Sequence, residues 1–294
     1  MRTLILFGLA VLWPLMSAAE EAPLRSLATA DATRGWEAVG RIDVGNRGFC
    51  TGTLIAPDIV LTAAHCIFDQ ETRAQIPAEE FEFLAGWRNG RAAAYRGVRR
   101  AVAHPNYVFE GRDQIDRVPY DIAFLELDHP IRLPSIRPFE TGPDTVTGDS
   151  VGIVSYALDR AEAPSIQDLC HVLGNEPGMT ILSCDVDFGS SGAPVFEMIG
   201  GEPKIVSVVS AKAEMGGKKV ALGSKWSARL RSCGRPFRRV NPVSSRCRPA
   251  AGPRSSDRPP RARRSSSSHE ARGDMGRGAC RPCSDARRPL PMRR

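Results

Sequence analysis

The stretch FGSSGAPV, residues 188–195, places a serine among small residues immediately ahead of an apolar run. Small neighbours let an attacked carbonyl group approach the backbone closely, and Gly189 permits a turn that aims backbone N–H groups at that carbonyl. Ser191 is therefore a candidate nucleophile. A glycine-rich turn without any chemistry is the alternative that this segment by itself leaves open.

Two segments upstream offer the partners that a serine nucleophile needs. The segment TAAHC, residues 62–66, follows an apolar run and puts His65 where a predicted strand ends. The segment YDIAFLEL, residues 120–127, puts Asp121 at the start of another apolar strand, where a carboxylate can be buried against an imidazole. A lone histidine is usually structural, and such an aspartate usually caps a strand, so the segments carry weight only together.

The rest of the body consists of short runs rich in apolar or β-branched residues, separated by Gly, Pro, Asn and Asp. This pattern, with no long helical period, predicts an all-β barrel or sandwich. A body of roughly 190 residues has room for two small barrels of about 90 residues each. The predicted strands include residues 53–55, 59–62, 81–84, 99–103, 122–127, 151–156, 194–199, 205–211 and 219–222.

The three segments, in the order His, Asp, Ser, resemble the chymotrypsin-like serine peptidase family, particularly its bacterial, glutamyl-endopeptidase-like branch. The resemblance covers about residues 38–224. It implies an all-β fold of two six-stranded antiparallel β-barrels with the active site between them. It also implies a serine endopeptidase that acts on a protein or peptide substrate, and we expect a monomer without a cofactor.

The same resemblance implies the role of each residue. Ser191 attacks the scissile carbonyl, His65 takes the proton and returns it, and Asp121 holds the imidazole tautomer and stabilises its charged form. The backbone N–H groups of Gly189 and Ser191 form an oxyanion hole, and the reaction passes through an acyl-enzyme. The alternative is a catalytically silent binding protein with this fold, or a latent precursor.

Substrate-binding residues also follow from the resemblance. Asp185 lies six positions before Ser191, the offset at which trypsin-like members carry the acid that binds Lys or Arg side chains. Lys212 lies near the expected pocket wall, where it would pair with Asp185 or attract an acidic substrate residue. Ser210 matches the family serine whose hydroxyl supports the catalytic aspartate. The pattern therefore predicts cleavage after basic residues as one of the open alternatives for specificity.

Four cysteines lie in the body, and an even number in an exported protein favours disulfides. The resemblance pairs Cys50 with Cys66, and Cys170 with Cys184 is the other expected pair. No metal site is predicted, because the histidines of the body share no ligand spacing and the CXXC pair near the C-terminus lacks a second ligand pair.

The N-terminal residues predict export. Residues 1–19 combine Arg2, an apolar run and a small-x-small sequence, which is typical of a cleaved signal peptide. We therefore expect a secreted or periplasmic protein without stable membrane association after cleavage. Residues 20–37 suit a pro-segment or a flexible arm. Ser190 stands where animal members of the family have the aspartate that pairs with a freed N-terminus, so that zymogen switch is not expected.

The C-terminal residues 225–294 differ from the body in charge and composition. They contain 20 basic and 4 acidic residues, which leaves 20 basic against 29 acidic residues in the rest of the chain. Arg, Pro, Ser and Gly dominate, so this segment cannot bury a core, and we predict a disordered tail. A translation out of frame is the alternative. Nucleic-acid binding is not expected, because aromatic residues are nearly absent among the arginines and the body is acidic.

Overall fold

The computed structural model describes residues 21–110 and 115–225. The predicted signal peptide in residues 1–19 and the predicted basic tail beyond Lys225 lie outside the described residues. Within the described ranges, no helix is long and apolar enough to cross a membrane.

The described residues form thirteen strands and four short 3₁₀ helices. The strands are β1 (Arg25–Ser26), β2 (Val39–Val44), β3 (Phe49–Ala56), β4 (Ile59–Thr62), β5 (Phe81–Ala85), β6 (Ala94–Ala103), β7 (Ala123–Leu127), β8 (Ser150–Ser155), β9 (Ser165–Glu176), β10 (Met179–Leu182), β11 (Pro194–Ile199), β12 (Glu202–Met215) and β13 (Lys218–Lys225). The 3₁₀ helices are Ala64–Ile67, Ala78–Glu80, Ile115–Tyr120 and Leu158–Arg160.

The first barrel is closed and antiparallel, with the strand order β2-β3-β4-β7-β6-β5. From Gly40 to Val44, β2 alternates buried and partly exposed positions, whereas β3 is buried from Cys50 to Leu54 and β4 from Val60 to Thr62. Large apolar side chains fill the interior, among them Ile42, Leu54, Leu61 and Phe83, none of which is exposed. This interior is a packed core rather than a pore.

The second barrel contains β8, β9, β10, β13, β12 and β11, and the pairing of β8 with β9 closes the ring. Valine is the commonest residue of its core, as at Val151, Val195 and Val209. β-branched side chains pack well on pleated strands, which explains why these short runs form strands. The prediction of two six-stranded antiparallel barrels is confirmed.

The N-terminal arm, which the sequence predicts to be a pro-segment or a flexible arm, carries a short strand. β1 pairs antiparallel with β9 and so extends the second barrel by one strand. Leu27 is completely buried, and the indole ring of Trp36 lies 5.1 Å from the ring of Phe196. Burial of these apolar groups holds residues 22–37 against the body, although the local sequence has no clear strand pattern.

Both predicted disulfides are present. Cys50 of β3 is bonded to Cys66 in the 3₁₀ helix that follows β4. Cys170 of β9 is bonded to Cys184, just beyond β10. Each barrel therefore carries one covalent link close to a segment that lines the cavity described below.

Candidate active site

His65 lies in the 3₁₀ helix Ala64–Ile67, where the chain leaves β4. The two alanines that precede it, Ala63 and Ala64, are fully buried, and Cys66 is tied to β3 by its disulfide. The small side chains and the covalent link fix the backbone on both sides of the histidine, so its ring is presented from a rigid support.

Asp121 lies between the 3₁₀ helix Ile115–Tyr120 and β7, and it is only 3% exposed. Its Oδ2 accepts a hydrogen bond from Nδ1 of His65 at 2.7 Å, and its Oδ1 accepts one from the backbone N–H of His65, also at 2.7 Å. The hydroxyl of Ser210 donates to the same Oδ2. Three donors therefore converge on one buried carboxylate.

The protonation of this pair follows from its surroundings. Burial by itself would raise the pKa of Asp121, but the charge and hydrogen bonds of His65 and the bond from Ser210 outweigh it and lower that pKa. An ionised carboxylate only accepts hydrogen bonds, so the proton in the bond to His65 lies on Nδ1. In the neutral ring, Nε2 is then the nitrogen free to accept a proton.

Ser191 lies in the turn before β11 and lines the same cavity of about 770 Å³ as His65 and Asp121. The Ser191 carbonyl accepts a hydrogen bond from the N–H of Thr51 in β3 at 2.9 Å, which ties the turn to the first barrel. Among the described residues no hydrogen bond joins the Ser191 hydroxyl to His65. Such catalytic bonds are often loose without substrate and tighten when it binds.

Gly192 allows this close approach of the two barrels. Its φ is +81°, and a Cβ atom there would lie 2.3 Å from the carbonyl oxygen of Thr51 and 2.1 Å from Oγ1 of Thr62. No other residue fits both the backbone conformation and the space.

Two carbonyl groups of the turn, those of Phe188 and Ser190, accept hydrogen bonds that fix the orientation of their peptide planes. The Phe188 carbonyl accepts from the N–H of Leu158 at 2.7 Å, and the Ser190 carbonyl accepts from the N–H of Ala193 at 2.9 Å. A trans peptide points its N–H opposite to its C=O, so the N–H groups of Gly189 and Ser191 point away from those partners. Within the described residues neither N–H has a backbone acceptor, as the predicted oxyanion hole requires.

Ser190 connects the turn to the neighbouring loop from inside the protein. The residue is completely buried, and its hydroxyl donates to the carbonyl of Tyr156 at 3.1 Å. The same oxygen accepts a hydrogen bond from the Asp187 N–H at 3.4 Å and a longer one from the Arg160 guanidinium at 3.5 Å. In animal members of the family, an aspartate at this position pairs with the N-terminus. Here the residue is Ser190, which is neutral and makes hydrogen bonds inside the protein.

The predicted substrate-binding residues separate in the structure. Asp185 is exposed and does not line the cavity, and its N–H donates to Oε1 of Gln167 at 2.8 Å. Lys212 does line the cavity, but its ammonium pairs with Asp187 at 2.6 Å and not with Asp185. Only Val186 lies between these two acids in the chain, and the direction of the loop decides which of them faces the lysine. The Ser210 hydroxyl donates a hydrogen bond to Asp121, as described above.

The sequence did not predict the roles of two further residues at this site, Thr51 and Phe188. The Thr51 hydroxyl donates to the Gly189 carbonyl at 2.8 Å and accepts from the Tyr156 N–H at 3.1 Å, which fixes the turn from the first barrel. Phe188 is 60% exposed, lines the cavity and carries the Lys212 ammonium 4.3 Å above its ring. Both roles depend on long-range contacts, so local sequence patterns contain no signal for them.

Comparison with known proteins identifies the family of the chain. The model of the trypsin-like peptidase domain matches residues 50–202. A trypsin from Simulium vittatum is 30% identical over 188 residues, covering 55% of this chain and 69% of that protein. A glutamyl endopeptidase from Bacillus licheniformis is 26% identical over 151 residues, covering 51% of this chain and 46% of that protein.

Other relatives overlap only in part. A modular serine protease of Drosophila melanogaster is 34% identical over 86 residues, which is 29% of this chain and 14% of that protein. The chain thus spans less than half the length of the modular and glutamyl enzymes.

Solved structures agree on the fold. A Glu endopeptidase structure matches with a TM-score of 0.57 at 20% identity, over 72% of this chain and 94% of that one. A thermostable serine protease, AL20, matches with a TM-score of 0.54 at 16% identity, over 66% of this chain and 94% of that one. Because the family model covers more than half of the sequence and the fold agrees, this chain belongs to the trypsin-like peptidase family.

Proposed function

We propose that this protein is a serine endopeptidase that hydrolyses peptide bonds through an acyl-enzyme, with Ser191, His65 and Asp121 as its catalytic triad. The observation that carries the proposal is the buried Asp121 carboxylate accepting a 2.7 Å hydrogen bond from His65 Nδ1, beside a cavity that Ser191 also lines. Nucleophile, base and orienting acid are the three roles that such a reaction needs.

The proposed reaction runs in two stages. The Ser191 oxygen attacks the scissile carbonyl carbon while its proton passes to Nε2 of His65. The C–N bond then breaks, the leaving amine takes that proton, and the acyl group remains on the serine. A water molecule repeats the sequence: its proton goes to His65, its oxygen bonds to the acyl carbon, and Ser191 is released with its proton restored.

Two charges form during the reaction: Asp121 stabilises the positive one, and the turn at Gly189 stabilises the negative one. The carboxylate stabilises the imidazolium that forms when His65 takes the proton. The N–H groups of Gly189 and Ser191 stabilise the negative oxygen of the tetrahedral intermediate, and each such donor contributes about 3 kcal/mol to lowering the barrier. Their free orientation supports this assignment.

We also propose that the protein acts outside the cytoplasm, on protein or peptide substrates. The two disulfides support this location, because such bonds persist in oxidising compartments. The mass and the cellular fraction of the expressed protein test it: an oxidised protein lacking its first residues and found outside the cytoplasm is expected. An uncleaved cytoplasmic protein would contradict export.

The activity is tested by the intact mass of the protein before and after treatment with a fluorophosphonate probe, which phosphonylates an activated serine. One added probe mass is expected on the wild type and on Ser135→Ala, whose serine is exposed and distant in sequence. No added mass is expected on Ser191→Ala. A folded wild type that takes up no probe would point instead to a catalytically silent binding protein or a latent precursor.

A further inference from the structure

Arg117 is a cavity residue to which the proposed reaction gives no role. It lies in the 3₁₀ helix Ile115–Tyr120, four residues before Asp121, and lines the cavity together with His65 and Ser191. Its guanidinium carbon lies 5.3 Å from the centre of the Phe109 ring. Its Nε and Nη1 atoms are buried and have no hydrogen-bond partner in the described part of the chain. Buried donors without acceptors are rare and call for an explanation.

A second unsatisfied donor lies next to it. The hydroxyl of Tyr107 is buried without a hydrogen-bond partner among the described residues and lines the same cavity. Burial and the charge of Asp121 raise the pKa of this phenol, whereas the charge of the neighbouring Arg117 guanidinium and its polar contact with the phenol oxygen partly oppose that rise. Tyr107 is therefore protonated at neutral pH, and the pair offers donors to an acceptor that the described residues do not supply.

The other positive side chains that line the cavity already have acids. Arg47 pairs with Asp69 at 3.0 Å and also with Glu80, while Lys212 pairs with Asp187. Among the described residues, Arg117 is the lining cation outside any ion pair.

Asp121 does not take up the charge of Arg117 either. The hydrogen bonds to this carboxylate come from His65 and Ser210, and those same groups lower its pKa. Among the described residues, no acid therefore neutralises Arg117, and Arg117 lines a cavity in which a substrate would lie.

We propose that Arg117 and Tyr107 form a subsite that binds an acidic side chain of the peptide substrate at a position other than P1. The inference rests on the proposed peptidase function. A guanidinium presents a planar fork that matches a carboxylate, and Phe109 below it holds the plane. The P1 residue belongs beside Ser191 and the segments around Asp187 and Lys212 of the second barrel, whereas Arg117 precedes β7 of the first.

The test compares cleavage profiles of the full chain on a proteome-derived peptide library, in which every substrate position, P1 included, varies at once. We expect the wild type to favour Asp or Glu at one position other than P1, and Arg117→Gln to lose this preference while keeping its choice at P1. For a matched pair of peptides with Glu or Gln there, kcat/KM should differ about tenfold in the wild type, the usual size of one charge-assisted bond.

Two further variants make the result specific. Arg117→Lys should recover part of the preference, since it restores the charge without the fork. Arg34→Gln removes a well-exposed arginine that pairs with Asp31, and it should leave the profile unchanged. Cleavage without an acidic preference in the wild type, or a preference that survives in Arg117→Gln, would overturn the subsite.

Failure of the subsite can be told apart from failure of the proposed function. A protein that takes up the fluorophosphonate but ignores Glu is a peptidase without this subsite. For a protein that cleaves nothing, fluorescence polarisation of dye-labelled peptides gives the answer. Tighter binding of Glu peptides than of Gln peptides, lost in Arg117→Gln, would support the subsite, and equal binding would refute it.

Discussion

The two barrels meet at the cavity but contribute to it by different means. The first barrel brings His65 and Asp121, which are joined by two 2.7 Å hydrogen bonds around a buried charge. The second barrel brings the turn of Ser191, which is held by hydrogen bonds between neutral groups, at 2.7 to 2.9 Å along its backbone and at 3.1 to 3.4 Å at the Ser190 hydroxyl. Charge-assisted bonds in a low dielectric are stronger than neutral ones. We therefore expect the His65–Asp121 pair of the first barrel to be rigid, and the turn of Ser191 in the second barrel to be altered more easily.

The largest effect should come from the first barrel. Asp121→Asn removes the charge and reverses the hydrogen-bond demand on Nδ1 of His65, so the ring is held in the wrong tautomer. We expect kcat/KM to fall about 10⁴-fold, measured on any peptide that the wild type cleaves.

Asp116→Asn is the matched control, because Asp116 is exposed in the 3₁₀ helix that immediately precedes Asp121. It should keep wild-type activity. A loss of less than about tenfold in folded Asp121→Asn would mean that the first barrel does not orient the base.

The next effect concerns the contact between the barrels. Gly192→Ala places a Cβ atom 2.3 Å from the Thr51 carbonyl in a left-handed backbone. Strain and overpacking together should lower the free energy of unfolding by about 3 kcal/mol, measured by denaturant titration.

Gly217→Ala separates backbone strain from the steric clash. Gly217 has a φ of +75°, and no atom lies within 4 Å of its added Cβ. The loss there should be only about 1 kcal/mol. Equal losses at the two glycines would show that the barrels are less tightly packed at Thr51 than the distances indicate.

A smaller effect is expected in the turn of the second barrel. Ser190→Ala deletes the hydroxyl that links this turn to the Tyr156 carbonyl. The N–H groups of Gly189 and Ser191 should then be less well oriented, and kcat should fall about tenfold with little change in KM, because those donors act mainly on the transition state.

Ser207→Ala is the control for loss of a buried hydroxyl. Ser207 is also buried in the second barrel and donates to the Ser224 carbonyl at 2.9 Å. Ser207→Ala should lower the free energy of unfolding about as much as Ser190→Ala does, while its kcat stays at the wild-type value. Were kcat to fall equally in both variants, Ser190 would have only a structural role.

The smallest effect on stability belongs to the exposed ion pair at the cavity. Lys212→Gln should change the free energy of unfolding by no more than about 0.5 kcal/mol, as should Lys204→Gln, which breaks the surface pair with Glu140. Only Lys212→Gln should alter selectivity, raising kcat/KM for substrates with a basic P1 residue, because Asp187 is then no longer neutralised. An unchanged P1 profile would remove both residues from the specificity pocket.

The elements that the sequence predicted best are those whose local pattern is complete. The predicted strand at residues 59–62 agrees with β4, and residues 194–199 agree with β11. In contrast, β9 (SIQDLCHVLGNE) was not singled out, since polar residues interrupt its apolar ones, and its pairing with β8 and β10 holds it extended. β1 likewise forms only because the edge of β9 is available.

The amino-acid sequence by itself determined the all-β class through its short apolar runs, and the candidate triad and the two disulfide pairs through the resemblance of its motifs to the family. The tertiary structure alone decided that Lys212 faces Asp187 and not Asp185, that Thr51 supports the turn of Ser191, and that Nε and Nη1 of Arg117, a residue that lines the cavity, have no hydrogen-bond partner within the described ranges. These facts depend on loop directions and on contacts between residues far apart in the chain. Such contacts form only when the barrels pack, so no local pattern of residues encodes them.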